Sequence, residues 1–319
     1  MDEPALARLG DWLRERRADD AAVVEATRIA TGNSRANWYV RMSDGSRYVV
    51  RIEQGGVFGT AGALEFRFMQ VAHQLGCKVA PARWIEPVGD VVGDPFFVMD
   101  FVDGDATGRN DRSMSPALAT DFVRRLDELH RTDWTGRLDP VDAREATHLA
   151  IDRWYGTYRE ATDVAVPLLE EGAAWLHHHA SEAARVGIVH GDPGAGNFIA
   201  AGDEVVAFTD WEFAHLGDPL EDWVYLVTMR GAKTMTPPEW LELFERVAGV
   251  AVSPGELHYW SVFNFFKGAC ANLTCRRAFV TTNPAPNMAL IGTALHQTYV
   301  RRVAALVETA PDHDDGGSP

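Results

Sequence analysis

Ile188-Val189-His190-Gly191-Asp192-Pro193-Gly194-Ala195-Gly196-Asn197-Phe198 is the stretch from which the rest of this 319-residue chain can be organised. Two apolar β-formers lead into a His-Gly-Asp turn, small loop-favouring residues follow, and Phe198-Ile199-Ala200 resumes a strand pattern. A second apolar strand ends at Asp210-Trp211-Glu212, and Gly202-Asp203 between the two is a hairpin signal. That hairpin would return Asp210 to the loop carrying Asp192 and Asn197.

Such a set suits phosphoryl transfer from a nucleotide held by Mg2+, which needs a proton acceptor, hard oxygen ligands and accurate placement. Asp192 is the candidate base, Asn197 and Asp210 are candidate metal ligands, and Glu212 is a further metal or substrate contact. His190 reads as a satisfied core histidine, because a carboxylate base leaves the imidazole no proton to move. Trp211 reads as packing.

The D-x-x-x-x-N spacing of Asp192 and Asn197 matches the catalytic loop of protein kinases, and Asp210 stands where their metal-binding Asp stands. H-G-D-x-x-x-x-N followed by D-W-E resembles the aminoglycoside phosphotransferase and choline kinase family of small-molecule kinases. The longer run from Asp210 through His215, Asp218 and Glu221 to Asp222 is similar to one branch of it, which includes the kinase-like segments fused to some acyl-CoA dehydrogenases. The similarity extends from about residue 29 to the C-terminal helices.

The resemblance implies an α+β, two-lobed protein-kinase-like fold. A small antiparallel-sheet N-lobe would occupy residues 1–102 and a larger helical C-lobe residues 103–310, before a tail, 311–319, of disordered composition. It also implies ATP- and Mg2+-dependent transfer of the γ-phosphoryl group to a hydroxyl of a small molecule, with GTP as an alternative donor.

Residues 1–20 read as an amphipathic helix, and 23–30 and 36–42 as strands joined by Thr31-Gly32-Asn33-Ser34-Arg35. In the family's N-lobe this turn closes over the phosphates, which assigns Gly32, Asn33 and Ser34 to the nucleotide. The next strand, 48–52, carries Arg51 where the family generally has Lys. A guanidinium can grip phosphate oxygens in a fork, and the nearer branch tends to read V-L-R here.

After a Gly-containing loop, 54–60, a helix is expected over 61–75. Its Glu65 matches the kinase helix Glu that pairs with the strand cation. Strands at 84–87 and 95–102 end the lobe, with the backbone between Asp100 and Val102 as the adenine hinge and Met99 nearest the ring.

Helical spacing follows at 115–131, through Leu118, Phe122, Leu126 and Leu129, then at 149–162, 167–186 and near 238–248, 254–278 and 288–308. By resemblance the inserted helices and those after Pro237 form the acceptor wall. Glu160, Asp163, Glu170 and Glu171 either line it or belong to solvated faces. Asp222 resembles the family's acidic brace for the catalytic loop, and His130 reads as packing. Gly191 replaces the Arg that in many protein kinases answers an activation-loop phosphate. The short span from Asp210 to Asp222 leaves little room for such a loop, so the site is expected to be constitutively assembled.

Net charge is −16, from 30 basic and 46 acidic residues, which argues against a nucleic-acid partner and tilts toward a cationic acceptor. No secretory signal is expected, since charges interleave the first helix. The most apolar region, 259–275, is interrupted by Lys267 and reads as a buried helix instead of a membrane span. Cys77, Cys270 and Cys275 form no C-x-x-C pair, as expected in a reducing cytoplasm. The consecutive His177, His178 and His179 face different ways on a helix and do not suggest a metal site.

Two other readings stay open: a nucleotide-binding protein that has lost catalysis, and a kinase of a hydroxyacyl-CoA or an amino alcohol instead of an aminoglycoside. A metal-dependent hydrolase lacks support, because neither a G-x-S-x-G elbow nor a His/Asp ligand spacing is present.

Overall fold

Alternation along one strand sorts the first hundred residues into two layers. In β3 (Arg47–Glu53), Tyr48, Val50 and Ile52 pack against Leu9, Trp12 and Leu13 of α1 (Glu3–Arg17). Val49 and Arg51, at the alternate positions, line the cleft on the other side. The computed structural model describes residues 1–29, 35–53, 62–106 and 113–309. The expected phosphate turn with Gly32, Asn33 and Ser34, the loop at 54–60 and the tail at 311–319 lie outside the described residues.

β3 belongs to a five-stranded sheet with β1 (Val23–Ile29), β2 (Arg35–Met42), β4 (Ala82–Glu86) and β5 (Phe96–Asp100). Its order is β1-β2-β3-β5-β4, and every neighbouring pair is antiparallel. α1 starts where the Asp2 side chain accepts the Ala5 N–H at 2.9 Å, and its Trp12 meets Phe96 edge-on at 4.9 Å. α2 (Gly62–Gln74) covers the opposite face, with Phe66 edge-on to Phe97 at 5.8 Å. The last strand stops at Asp100, short of the expected 102. There the chain wraps around Arg47, whose carbonyl accepts the Phe101 N–H at 3.0 Å and whose guanidinium reaches Asp103 at 2.7 Å.

Most of the remaining chain is helical. α3 (Pro116–Arg131) is capped by Ser115, and its stripe of Leu118, Phe122, Leu126 and Leu129 is fully buried. Phe122 packs between Phe198 and Phe208 at 5.2 and 5.3 Å, so α3 supports the predicted hairpin directly. α7 (Pro237–Ala248) adds Trp240 and Phe244 around Trp223. A second core surrounds α8 (Pro254–Thr281), against which α4 (Ala146–Ala161), α5 (Pro167–His179) and α10 (His296–Glu308) pack. The capping box of Ser253 and Glu256 starts α8, and Lys267 lies buried near its middle.

α5 ends at His179 instead of running to 186. The following segment is drawn toward the start of α4, with Ala183 N–H on Ala143 O at 2.9 Å and Ser181 O accepting the Thr147 hydroxyl at 3.3 Å. The expected 288–308 helix is divided into α9 (Pro286–Leu290), a wide π-type turn at Ile291–Leu295, and α10. No helix among the described residues is long and apolar enough to cross a membrane.

Candidate active site

β6 (Gly187–Val189), paired antiparallel with β9 (His215–Gly217), delivers the catalytic loop. β7 (Phe198–Ala201) and β8 (Glu204–Phe208) form the hairpin beyond it. The turn needs Gly191: its φ is +84°, and a Cβ would lie 2.7 Å from both the Cβ and the carbonyl oxygen of Phe213. Asp222, in α6 (Leu220–Tyr225), accepts the N–H groups of His190 at 2.7 Å and Gly191 at 2.8 Å, and pairs with His130 Nε2 at 2.9 Å. Burial opposes the Asp222 charge, but His130 and these donors outweigh it and hold the carboxyl below its ordinary value.

The brace expected of Asp222 is therefore present in the contacts, with His130 as its packing partner. His190 accepts the Asp192 N–H at Nδ1 and donates from Nε2 to Thr209 O at 3.0 Å. Burial pushes its pKa down, which keeps the ring neutral. From α8, Lys267 donates to Gly191 O and to Glu221, each at 2.7 Å. Trp211 is buried, its ring N–H bonded to Phe208 O at 3.0 Å. Between Asp210 and Asp222 the chain is taken up by a 3-10 turn, β9 and the start of α6, so no activation loop is inserted there.

Asn197 Nδ2 donates to both the carbonyl and the Oδ2 of Asp192, at 2.8 and 2.7 Å, leaving the amide oxygen for a cation. Arg230 meets the Asp192 carboxylate with two nitrogens, Nε to Oδ1 at 2.9 Å and Nη2 to Oδ2. It closes a π-type turn, Leu226–Arg230, continuing α6. Gly194, at φ +136°, makes room for it, since a Cβ there would lie 2.5 Å from Arg230 Cβ. No spacing in the sequence marks Arg230, because the pair is 38 residues apart and forms only when α6 folds back over the loop.

The sheet contributes the opposing wall. Arg51 Nε lies 2.8 Å from Glu65 Oε1, the pair expected from sequence, and its Nη2 donates to Asp210 Oδ1 at 2.5 Å. Arg35, the first residue of β2, shares Glu65 at 3.0 Å and approaches Glu53 and Glu212 at 3.7 and 4.0 Å. Sequence reasoning had placed Arg35 in the preceding turn and gave it no part in this cluster. Its signal was the two-residue step to Asn37, which lines the cleft.

Asp210 has φ +66°, an uncommon conformation for a residue with a side chain. Burial pushes its carboxyl up, but Arg51 outweighs this and holds it below the ordinary value. Glu212 goes the other way, pushed up to about 8 by burial and by Asp210 beside it. Its Oε2 is buried without a hydrogen-bond partner among the described residues.

These groups border one cleft of about 1070 Å³. Val49, Ala80, Met99, Ile199 and Phe208 form an apolar slot at the hinge end. There the Asp100 N–H is taken by Pro81 O and the Phe101 N–H by Arg47 O, while Arg83 holds the Asp100 carboxylate at 2.7 Å. Among the described residues, the Val102 N–H has no protein partner. Asp192, Asn197, Asp210 and Glu212 meet Arg51 and Glu65 deeper in.

No group of three or more His, Cys, Asp or Glu side chains among the described residues forms a metal cage. An amide oxygen, a carboxylate and an orphaned carboxyl oxygen fit Mg2+, which keeps waters and binds through one or two carboxylates plus substrate phosphates. Glu160, Asp163, Glu170 and Glu171 do not border the cleft, and Glu170 instead accepts from Tyr155, Tyr158 and Arg159.

Comparison with known proteins places this geometry. Mouse (Mus musculus) acyl-CoA dehydrogenase family member 10 is 25% identical over 213 residues, covering 63% of this chain and 20% of that protein. Family member 11 is 23% identical over 225 residues, 66% of this chain and 28% of its own length. The chain thus spans less than a third of either mouse protein.

Among solved structures, a Ralstonia eutropha JMP134 protein provisionally called an aminoglycoside phosphotransferase superposes with a TM-score of 0.72 at 19% identity, covering 96% of this chain and 98% of that one. A thermostable aminoglycoside phosphotransferase APH(4)-Ia variant, in complex with ADP and hygromycin B, gives 0.64 at 14% identity, covering 94% and 98%. A choline/ethanolamine kinase family protein from Mesorhizobium loti gives 0.61 at 18%, covering 89% and 88%. They share the α+β, protein-kinase-like fold. The sequence profile of the phosphotransferase enzyme family matches residues 25–259, and the chain belongs to that family.

Proposed function

We propose that this phosphotransferase moves the γ-phosphoryl group of ATP, with Mg2+, to a hydroxyl of a small molecule. The observation that carries the reading is the bridge from Glu65 through Arg51 to Asp210, which sets the sheet's cation against the carboxylate beyond the catalytic hairpin. In this reading Arg51 steadies the phosphates, and the turn with Gly32, Asn33 and Ser34 covers them. The apolar slot at Met99 takes the base, with the Val102 N–H, unpartnered among the described residues, to meet it and the backbone of Asp100 beside it; GTP is the alternative donor.

Asp192 accepts the acceptor's proton as its oxygen attacks the γ-phosphorus and the bond to ADP breaks. Asn197 Nδ2 and Arg230 keep that carboxylate oriented, and His190 fixes the loop beneath it. Asn197, Asp210 and Glu212 would hold Mg2+, which neutralises charge building on the phosphate oxygens. The boundary between lobes falls at residues 102 and 103. Three free cysteines support a reducing compartment, and we assign the protein to the cytoplasm.

Acceptor-dependent ADP release tests the reading. Asp192→Asn should lower it by about 100-fold or more while nucleotide binding persists. Turnover retained in that variant would refute Asp192 as base, and nucleotide binding without any turnover in the unaltered protein would favour a catalytically silent relative. Turnover appearing only after phosphorylation of the protein would refute a constitutive site.

A further inference from the structure

The carboxylates around the cleft are unevenly distributed. Glu25, Glu65, Asp100, Asp105, Asp192, Asp210 and Glu212 border its nucleotide and metal side. Beyond Glu212 in the chain, no Asp or Glu among the described residues borders it. That side is built from apolar groups such as Phe213, Met229, Ile291 and Leu295, with Arg230 as its cation. Beyond the catalytic Asp192, whose carboxylate Arg230 already pairs, an acceptor's ammonium groups would find no further carboxylate among the described residues of that side.

A second observation points to what the wall would take. Gly268, Ala271 and Asn272 share one face of α8, at helical spacing, and all three border the cleft. Asn272 is only 6% exposed, yet among the described residues its Nδ2 has no hydrogen-bond partner. A buried donor left unpaired costs free energy unless a ligand meets it. Arg230 spends Nε and Nη2 on Asp192 and also hydrogen-bonds Tyr225, with Nη1 beside Gly196, where a Cβ would lie 4.0 Å away. This side of the cleft therefore offers hydrogen-bond donors above an apolar floor.

We propose that the acceptor is a hydroxylated compound with an apolar body and a carboxylate, and that the Asn272 amide, assisted by Arg230, recognises the carboxylate. The inference rests on the phosphotransferase reading for the role of the hydroxyl, but the recognition itself is independent of turnover. It runs opposite to the pull of the acidic surface: the long-range field would attract cations, whereas local desolvated groups decide what is held.

Three probes of equal chain length test it: hydroxyhexanoate, hexanediol and aminohexanol. Each is titrated calorimetrically into the protein with Mg2+ and a non-hydrolysable ATP analogue, then assayed for ADP release with ATP. The carboxylate should bind at least about tenfold more tightly than the diol, and the amine weakest. Asn272→Leu should erase the carboxylate's advantage and leave the diol unchanged. Asn272→Asp, nearly isosteric and so less exposed to misfolding, should turn the preference toward the amine. Equal or tighter binding of diol or amine by the unaltered protein, or an unchanged preference in Asn272→Asp, overturns the proposal. Carboxylate binding that responds to both variants without ADP release would uphold it and refute the phosphotransfer reading instead.

Discussion

Replacing Glu65 with Gln removes the carboxylate that contacts two buried cations, and the structure sets the size of the loss. Arg35, Arg51 and Glu65 are 4%, 6% and 2% exposed, with contacts of 3.0 and 2.8 Å. Removing one member of a buried ion pair costs about 3–5 kcal/mol, because the remaining charge is left uncompensated. Arg51 keeps Asp210. Arg35 keeps Glu53 at 3.7 Å and Glu212 at 4.0 Å, both longer than its contact to Glu65.

The loss should therefore fall within that range, about 3–5 kcal/mol. At about 2–4 °C per kcal/mol, Tm should drop by about 6–20 °C. Urea unfolding followed by tryptophan fluorescence measures it at 25 °C. Adding Arg35→Met to the variant should recover part of the loss, since it removes a buried cation that has lost its Glu65 contact. A loss below about 1 kcal/mol for Glu65→Gln would refute the claim that this carboxylate holds the cluster together.

Three further outcomes follow from other parts of the structure. Asp222→Asn keeps one acceptor oxygen for three donors, so urea unfolding should show a loss of about 3–5 kcal/mol; an unchanged midpoint would refute the brace. Gly194→Ala forces a side chain into φ +136° and against Arg230, so stability should fall by about 1–3 kcal/mol and acceptor-dependent turnover should fall with nucleotide binding retained, as paired calorimetric and rate measurements would show.

Burial, aided by Arg276, holds the His296 pKa below its ordinary value against the bond to Ala269 O. Its folded pKa is depressed, so on acidification below about 6.5 the unfolded chain takes up a proton first and stability declines. Asp218, pushed up to about 6, acts oppositely, and its contribution grows as pH falls through that value. Tm recorded against pH should lose part of its acid decline in His296→Gln, and an unaltered profile would refute the assignment.

Local rules made much of the fold readable. The stripe of α3, the β7–β8 hairpin and the alternation of β3 depend on periodicity and turn residues within short windows, and each formed close to its expected bounds. The Arg51–Glu65 pair was legible because family spacing pointed to it, and Asp222 as brace for the same reason. Element ends were less legible: α5 stopped early because a carbonyl near the start of α4, distant in sequence, captured the next segment, which no local propensity records.

By itself the sequence determined which oxygen-bearing side chains share a loop and hairpin, because their separation is a matter of a few covalently linked residues. Only the tertiary structure decided that Arg230 would hold Asp192, that Arg35 would share Glu65, and that among the described residues no Asp or Glu beyond Glu212 would border the cleft. Those outcomes depend on which surfaces pack together. Desolvation then made the contacts matter, turning a charge that would be screened in water into one that must find a partner.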